Sequence, residues 1–279
     1  MNISRVVPVG NWRAGDQSGR EDVIAGEVPV ALTYNRMSHV VMMATPADLE
    51  DFALGFSLTE GIIDSPDDLL ATKVIPREQG VEVAMTIAEP YFDRLATQRR
   101  NLTGRTGCGL CGAESLEQAM RYPDKVKDTV RVSAETLQKA LEAMPAQQPL
   151  NEVTGATHAA AWCDLEGKVL ALREDVGRHN ALDKLIGCVK GKMGSGPSKS
   201  EGFNGPDPFF NTSKGFCVVT SRASYEMVYK AAAAGMEVLV AVSAPTTLAV
   251  DFAMHCGITL VGFAQPGRHN IYTGPGRLG

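Results

Sequence analysis

Residues 216–263 read FCVVTSRASYEMVYKAAAAGMEVLVAVSAPTTLAVDFAMHCGITLVGF, and this stretch decides the fold of the C-terminal half. Three short apolar runs, at 216–220, 238–242 and 258–263, alternate with two segments of helical character at a spacing of about twenty residues. Buried strands that alternate with helices are typical of a parallel sheet with right-handed crossovers. The stretch therefore predicts an α/β domain.

Capping residues set the expected helix boundaries within this stretch. Ser221 is predicted to cap the first helix, and Gly235 follows its last turn. Thr246 or Thr247 begins the second helix, and Gly257 ends it. Both helices then start at the edge of the sheet where the strands end.

The loops that follow the three strands are predicted to form a ligand site. In a parallel α/β sheet the ligand crevice lies at the carboxyl ends of the strands, which places 220–222, 243–246 and 264–268 side by side. Two of these loops lead into helix N-termini, which attract anions. Arg222 and Arg268 can grip a phosphate. The pattern favours a phosphate-bearing ligand, although ordinary helix caps and surface arginines would give the same residues.

Upstream of this stretch, the same domain contains further apolar segments at 157–162 and 168–172. The loop 175–179 follows the second of these and is expected to join the ligand edge, and a helix follows from about residue 181. The domain is taken to begin at 149, after a helix that Ser133 caps and that Pro145 stops. Residues 190–214, rich in Gly, Ser, Pro and Lys, are predicted to be a flexible insertion.

The N-terminal half has a different order of predicted strands and helices. Residues 28–34 and 40–43 read as strands, Thr45 and Pro46 as the start of a helix, and 74–75 and 81–87 as two more strands. This β-β-α-β-β order predicts a smaller α+β domain over residues 21–100. Residues 1–20 are polar and are expected to be irregular.

Between the halves lies the sequence GRTGCGLCG, residues 104–112. Glycine is unfavourable inside helices and strands, so residues 101–116 are predicted to be a loop that presents Cys108 and Cys111. Residues 117–148 are then a connecting helical segment. Nearby positive charge on Arg105 favours the thiolate, the nucleophilic form of cysteine.

Three interpretations of the two thiols compete. They could be incidental, they could be half of a zinc site, or they could perform sulfur or redox chemistry. A structural zinc site needs a second ligand pair. The other four cysteines stand singly in apolar surroundings and no H-x-x-x-H sequence occurs, which disfavours zinc; they are Cys163, Cys188, Cys217 and Cys256.

The amino-acid composition limits the classes of function that are expected for this chain. The chain of 279 residues is 44% hydrophobic and 21% charged, as in soluble globular proteins. A net charge of −5 gives no indication of nucleic-acid binding. The sequence contains no apolar run of membrane-spanning length, and residues 1–16 lack the apolar core of a signal peptide. A cytoplasmic protein without membrane or nucleic-acid partners is expected.

Several long motifs together resemble the FdhD family, the formate dehydrogenase accessory sulfurtransferases. They are LGFSLTEGII at 54–63, GRTGCGLCG at 104–112, EDVGRHNALDKL at 174–185, SRASYEM at 221–227, AVSAPTTLAV at 241–250 and LVGF at 260–263. The resemblance extends from about residue 28 to residue 277. The order and length of these motifs make it more specific than a C-x-x-C sequence alone.

The resemblance implies a sulfur carrier. In this family a cysteine desulfurase supplies sulfur as a persulfide, and the carrier passes it to the molybdenum (or tungsten) cofactor that bears two molybdopterin guanine dinucleotides, before the cofactor enters formate dehydrogenase. By position, Cys108 matches the persulfide-bearing cysteine and Cys111 its companion. The family's cofactor-binding segment matches Phe263, Ala264, Gln265, Pro266, Gly267 and Arg268.

The resemblance also implies a C-terminal fold similar to cytidine deaminases, a homodimer, and binding of guanine nucleotides such as GDP as partial mimics of the cofactor. We add Ser221 and Arg222 to the expected cofactor site from the strand-end argument. Deaminase chemistry is not expected, because His158 is not followed by the glutamate of an H-x-E motif and the C-x-x-C lies outside the α/β half. A non-enzymatic cofactor chaperone and a thiol–disulfide oxidoreductase remain alternatives to sulfur transfer.

Overall fold

A six-stranded sheet lies at the centre of the C-terminal half, in the order β12-β11-β10-β9-β7-β8. The computed structural model describes residues 1–101, 122–191 and 214–279, and the side chains among these except those of 98–101. The strands are β7 (His158–Cys163), β8 (Val169–Asp175), β9 (Phe216–Val219), β10 (Val238–Ala241), β11 (Thr259–Gln265) and β12 (Arg268–Ile271). Strands β9, β10 and β11 are parallel, as predicted. Strand β7 runs antiparallel to both β8 and β9, and β12 runs antiparallel to β11.

Helices cover both faces of this sheet. The helices of this half are α3 (Ala134–Ala143), α4 (Pro149–Thr154), α5 (Arg178–Gly191), α6 (Tyr225–Ala233) and α7 (Thr247–Cys256). Alternate strand residues point to opposite faces. Accordingly, Val219 and Ala241 belong to a core with α5, α6 and α7, whereas Val218 and Val240 belong to a core with α3. The expected α/β/α architecture is confirmed.

The N-terminal half contains a four-stranded sheet of order β4-β3-β6-β5. Its elements are β3 (Val28–Tyr34), β4 (Met37–Ala44), α1 (Leu49–Thr59), β5 (Leu69–Arg77), β6 (Gly80–Ile87) and α2 (Glu89–Asn101). Phe52 and Phe56 of α1 and Leu95 of α2 lie in its core. The expected smaller α+β unit is confirmed. Short 3-10 turns occur at Pro66–Asp68, Pro145–Gln147 and Pro275–Arg277.

The two halves meet where α1 crosses α5. A Cβ on Gly55 would overlap the carbonyl oxygen of Asp183, and a Cβ on Gly187 would overlap that of Asp51, so the glycines permit the close crossing. A buried ion cluster lies beside it: the Lys230 ammonium lies 3.0 Å from Asp183 and 2.9 Å from Glu60. These contacts fix the α+β unit against the α/β unit.

The first twenty residues are ordered, and the expectation of an irregular segment is wrong. They form most of a hairpin of β1 (Ser4–Arg13) and β2 (Asp16–Ala25), joined by a turn whose residues Ala14 and Gly15 have φ values of 52° and 97°. Positive φ at both central positions is the geometry of a two-residue hairpin turn. Largely exposed strands lack the apolar alternation by which strands are recognised in sequence, which explains the error.

Two predicted helix starts are also wrong, because contacts with distant residues hold the chain in a non-helical conformation before each helix. Thr45 does not cap α1, which begins at Leu49; its hydroxyl oxygen accepts from the Val176 N–H at 3.2 Å, and its backbone N–H donates to the Asp175 carboxylate at 3.0 Å. Ser221 does not cap α6, whose N-cap is Ser224. Residue Ala223 instead forms a bridge with Pro245, which keeps the chain extended before the helix. The prediction that this helix begins at Thr246 or Thr247 is confirmed, because α7 starts at Thr247 and Thr246 is its N-cap.

The expected connecting segment 117–148 is not a connector where the structure describes it. Leu137, Ala140 and Leu141 of α3 pack into the core on one face of the six-stranded sheet, so α3 is an outer layer of the C-terminal unit. The amphipathic pattern of α3 predicts a buried face but not the sheet it covers. The cysteine segment 101–116, apart from residue 101, and residues 192–213 of the insertion lie outside the described residues.

Candidate functional site

The carboxyl ends of β8, β9, β10 and β11 lie along one edge of the six-stranded sheet, which we call the pocket edge. Strand β7 runs the opposite way, so its first residue, His158, lies at the same edge, directly across from Asp175. Helices α5, α6 and α7 all begin there. The predicted juxtaposition of the strand-end loops therefore follows from the observed topology.

A cavity of about 620 Å³ opens at the pocket edge, on the α3 face of the sheet. One wall comes from the strand ends and the other from α3, α4 and the turn between them. The residues that matter for the argument are Thr157, Thr220, Ala264, Gln265 and Pro266 on the first wall and Met144 and Asn151 on the second. Three residues of the expected cofactor segment thus line a cavity of ligand size.

Glu174 organises the second wall, and sequence reasoning did not single it out. Its carboxylate accepts hydrogen bonds from the backbone N–H groups of Leu150, at 3.0 Å, and Asn151, at 2.7 Å. It also accepts one from the Thr157 hydroxyl, at 2.9 Å. The backbone N–H groups at the start of a helix have no acceptor within the helix, and the Glu174 carboxylate accepts their hydrogen bonds at the start of α4. The signal in the sequence was the acidic pair that ends β8.

The expected cofactor segment 263–268 is a hairpin turn at the end of β11. Phe263 has a φ of 50°, a conformation that costs free energy for a residue with a side chain. Its ring is exposed, while the next residue, Ala264, is fully buried. Backbone strain of this kind persists only where the surroundings enforce it, and here the Phe263 N–H donates to the Ser243 carbonyl at 3.1 Å.

Gln138 of α3 holds the tip of the same turn. Its side-chain oxygen accepts a hydrogen bond from the Gly267 N–H at 2.7 Å, and its amide nitrogen lies 3.1 Å from Nδ1 of His269. The guanidinium of Arg268 donates to the Gln265 side-chain oxygen at 3.1 and 2.6 Å. The turn is therefore positioned before any ligand arrives.

The structure places Ser221 and Arg222 beside this cavity rather than in its wall. Ser221 is buried and its hydroxyl donates to the Arg222 carbonyl oxygen at 3.0 Å. The Arg222 side chain is exposed to solvent. Of these two, Arg222 is the residue that an incoming anion can reach.

The described chain that follows the cysteine segment lies elsewhere. Tyr122 stacks on Phe252 with ring centroids 4.8 Å apart, and the Val126 N–H donates to the carbonyl oxygen of Cys256, the last residue of α7, at 2.9 Å. The last turn of α7 lies at the edge of the sheet opposite the pocket edge, which we call the anchor edge. Cys108 and Cys111 themselves lie outside the described residues.

The four described cysteines are shielded from reactants by burial. Cys163, Cys188, Cys217 and Cys256 are all buried. Burial raises the pKa of the Cys163, Cys217 and Cys256 thiols, which disfavours the reactive thiolate. Among the residues that the structure describes, no group of three or more His, Cys, Asp or Glu side chains could hold a metal ion. Nor does any helix in the described ranges have the length and apolarity needed to cross a membrane.

Comparisons with known proteins agree over nearly the whole chain. The model of the FdhD/NarQ family matches residues 25–279. The sulfur carrier protein FdhD of Cupriavidus necator is 51% identical over 270 residues, covering 97% of this chain and 88% of the relative. The protein of the same name from Xanthomonas campestris pv. campestris is 46% identical over 275 residues, covering 99% and 92%.

A solved structure shares the fold. A crystal structure from Desulfotalea psychrophila, described as that of a proposed formate dehydrogenase accessory protein, matches with a TM-score of 0.72. The match covers 99% of this chain and 100% of that chain at 21% sequence identity. It supports the α/β arrangement described above.

Proposed function

Since the chain belongs to the FdhD/NarQ family, we propose that it is a sulfur carrier that serves the maturation of formate dehydrogenase. The observation that carries this proposal is the similarity, at 46–51% identity over nearly the full length, to relatives named sulfur carrier protein FdhD. We propose further that the sulfur donor is a cysteine desulfurase. The acceptor is the molybdenum cofactor that carries two molybdopterin guanine dinucleotides.

Cys108 receives the sulfur in this proposal. Its thiolate attacks the terminal sulfur of the desulfurase persulfide. A sulfur–sulfur bond forms at Cys108 as the bond in the donor breaks, and the desulfurase cysteine leaves as a thiolate. The burial of the four described cysteines supports this assignment, because it leaves the Gly-flanked pair, Cys108 and Cys111, as the candidates.

The cavity at the pocket edge receives the cofactor as cargo. Its volume of about 620 Å³ suits one nucleotide arm, and Ala264, Gln265 and Pro266 line it. Arg222 and Arg268 lie at the same edge and would meet the pyrophosphate groups of the ligand. GDP, which carries the guanine and the two phosphates of one arm, is the matching soluble probe.

The positions of the two edges bear on how sulfur reaches the cofactor. The first described residue after the cysteines, Tyr122, packs on α7 toward the anchor edge, whereas the cavity lies at the pocket edge. The eleven residue steps from Cys111 to Tyr122 span at most about 40 Å when fully extended. This span is the upper limit on how far Cys111 can lie from Tyr122.

One experiment separates sulfur transfer from its rivals. The purified protein is incubated with a cysteine desulfurase and cysteine, and intact and peptide masses are measured. Added sulfur on the peptide that contains Cys108, absent in Cys108→Ala and present in Cys111→Ala, is the expected result. A Cys108–Cys111 disulfide without added sulfur supports a thiol–disulfide oxidoreductase. Neither change, with GDP binding retained, supports a cofactor chaperone.

A further inference from the structure

A cluster of polar side chains lies at the pocket edge but on the sheet face opposite the cavity. It consists of His158, Arg178, His179, Ser224 and Glu226, and we call it the α5–α6 cluster. Arg178 and His179 begin α5, and Ser224 and Glu226 lie at the start of α6. Nε2 of His179 lies 2.7 Å from a carboxylate oxygen of Glu226, so the starts of the two helices are in direct contact.

Strand alternation places this cluster directly behind the cavity. Thr157 lines the cavity on the α3 face. The next residue, His158, points to the face that carries α5 and α6, as do Ala160 and Trp162 of the same strand. The cavity and the cluster therefore lie at the same strand end on opposite faces of the sheet, and only a ligand that bends over this edge can contact both.

Buried hydrogen bonds hold Arg178 and His179 in place. The fully buried Asp175 carboxylate lies 2.7 Å from the Lys184 ammonium and accepts hydrogen bonds from the Gly177 N–H, at 2.8 Å, and the Asn180 amide, at 3.0 Å. A Cβ on Gly177 would lie 2.9 Å from the Asn180 amide nitrogen, so a larger residue would displace that side chain. These contacts fix the turn that presents Arg178 and His179.

Two polar atoms of the cluster are shielded from solvent without a hydrogen-bond partner in the part of the chain that the structure describes. They are Nε of Arg178 and Oγ of Ser224. Nε2 of His179, in contrast, is paired with the Glu226 carboxylate at 2.7 Å. Leaving buried polar atoms unsatisfied is costly, and such groups in native proteins commonly await a ligand or an ordered water.

The local electrostatics favour an anion. Burial lowers the pKa of His158, and the positive charges of Arg178 and His179 lower it further, against the opposing effect of Asp175. Glu226 has a lowered pKa because His179 and Arg178 stabilise its charged form despite partial burial. The charge of Asp175 is balanced by Lys184, so Arg178 is the permanent cation of the cluster.

We propose that the α5–α6 cluster binds a phosphate group of the nucleotide whose ring system occupies the cavity. The identity of that nucleotide rests on the proposed function, whereas the anion site rests on the cluster alone. Arg178 donates to phosphate oxygens, His179 is held in position by Glu226, and Ser224 supplies a hydroxyl. The free N–H groups at the starts of α5 and α6 add donors to the same place.

The test measures binding of GDP, guanosine and inorganic pyrophosphate by calorimetry to the wild-type chain, to Arg178→Gln and to His179→Gln. We expect Arg178→Gln to bind GDP and pyrophosphate about ten- to a hundred-fold more weakly than the wild type does. Its affinity for guanosine should equal that of the wild type. His179→Gln is a milder change and should weaken GDP binding by a smaller factor. Arg131→Gln removes the same charge at the anchor edge and should leave all three affinities unchanged.

Each other outcome has a distinct meaning. Wild-type affinity of Arg178→Gln and His179→Gln for both GDP and pyrophosphate would overturn the phosphate site and leave the proposed function intact. Binding of pyrophosphate without GDP or guanosine would keep the anion site and count against the guanine-nucleotide ligand. No binding of any of the three probes to the wild-type chain would overturn this inference.

Discussion

The two edges of the six-stranded sheet differ in what they offer a ligand. The pocket edge combines a cavity, a strained turn at Phe263 and the α5–α6 cluster. The anchor edge offers aromatic stacking of Tyr122 on α7 and an ion cluster around Arg277, Asp128 and Glu237. Under the proposed function, the pocket edge would bind the nucleotide cargo, whereas the anchor edge holds the first described residues after the cysteine segment.

The largest effect is expected at the cysteines. Cys108→Ala should abolish formate dehydrogenase maturation because it removes the sulfur acceptor, while the affinity for GDP stays at the wild-type value. Enzyme activity in cells that depend on the variant, together with calorimetry of the purified protein, measures both. Full maturation activity with Cys108→Ala would break the assignment of sulfur carriage to this segment.

The next largest effect is expected at Asp175, which holds the turn before α5 and contacts Thr45 of the N-terminal half. Asp175→Ala leaves the fully buried Lys184 ammonium without its carboxylate, and we expect the free energy of unfolding to fall by about 3–5 kcal/mol. Asp128→Ala is the matched control at the anchor edge. Its carboxylate is exposed, so this change should lower the free energy of unfolding much less. Equal losses in urea denaturation would contradict this account of the turn.

A smaller effect is expected at Gln138, which positions the turn that contains Gly267. Gln138→Ala removes two side-chain contacts and should weaken GDP binding by about 1–2 kcal/mol, roughly five- to thirty-fold. Glu142→Ala changes an exposed position on the same helix and should bind GDP normally. If both variants bind GDP equally, the 263–268 turn does not need α3 to position it.

The smallest effect is expected at Tyr122. Tyr122→Ala removes the ring contacts with Phe252 and His255 and should lower stability by about 0.5–1.5 kcal/mol. Because Tyr122 lies at the anchor edge, GDP affinity should not change. Thermal unfolding with and without GDP tests both statements, and a loss of GDP affinity would show that the two edges are coupled.

Sequence periodicity was sufficient to predict the helices and strands that bury continuous apolar faces. The alternation at 216–263 predicted three parallel strands and two helices, because buried strands and amphipathic helices leave direct patterns of apolar residues. The end of α7 was predictable as well, since Gly257 adopts the left-handed conformation that a glycine stop signals.

Features that depend on distant contacts were not predictable in this way. Thr45 looks like a helix cap in sequence, but its backbone is used by Asp175, which lies 130 residues away in the chain. Glu174 and Gln138 shape the pocket through hydrogen bonds to other elements, and a single polar residue in a sequence does not reveal its partner. The cavity could be assigned to an edge from topology, while its walls required the structure.

The most direct test of sulfur carriage follows the atom itself. The protein is loaded with isotopically labelled sulfur from a cysteine desulfurase, freed of donor and mixed with cofactor-bearing extract that lacks this chain and with inactive formate dehydrogenase. The account predicts that label leaves Cys108 and appears in the cofactor extracted from active enzyme. Activation of formate dehydrogenase with the label still on the carrier, or with Cys108→Ala in its place, would contradict it.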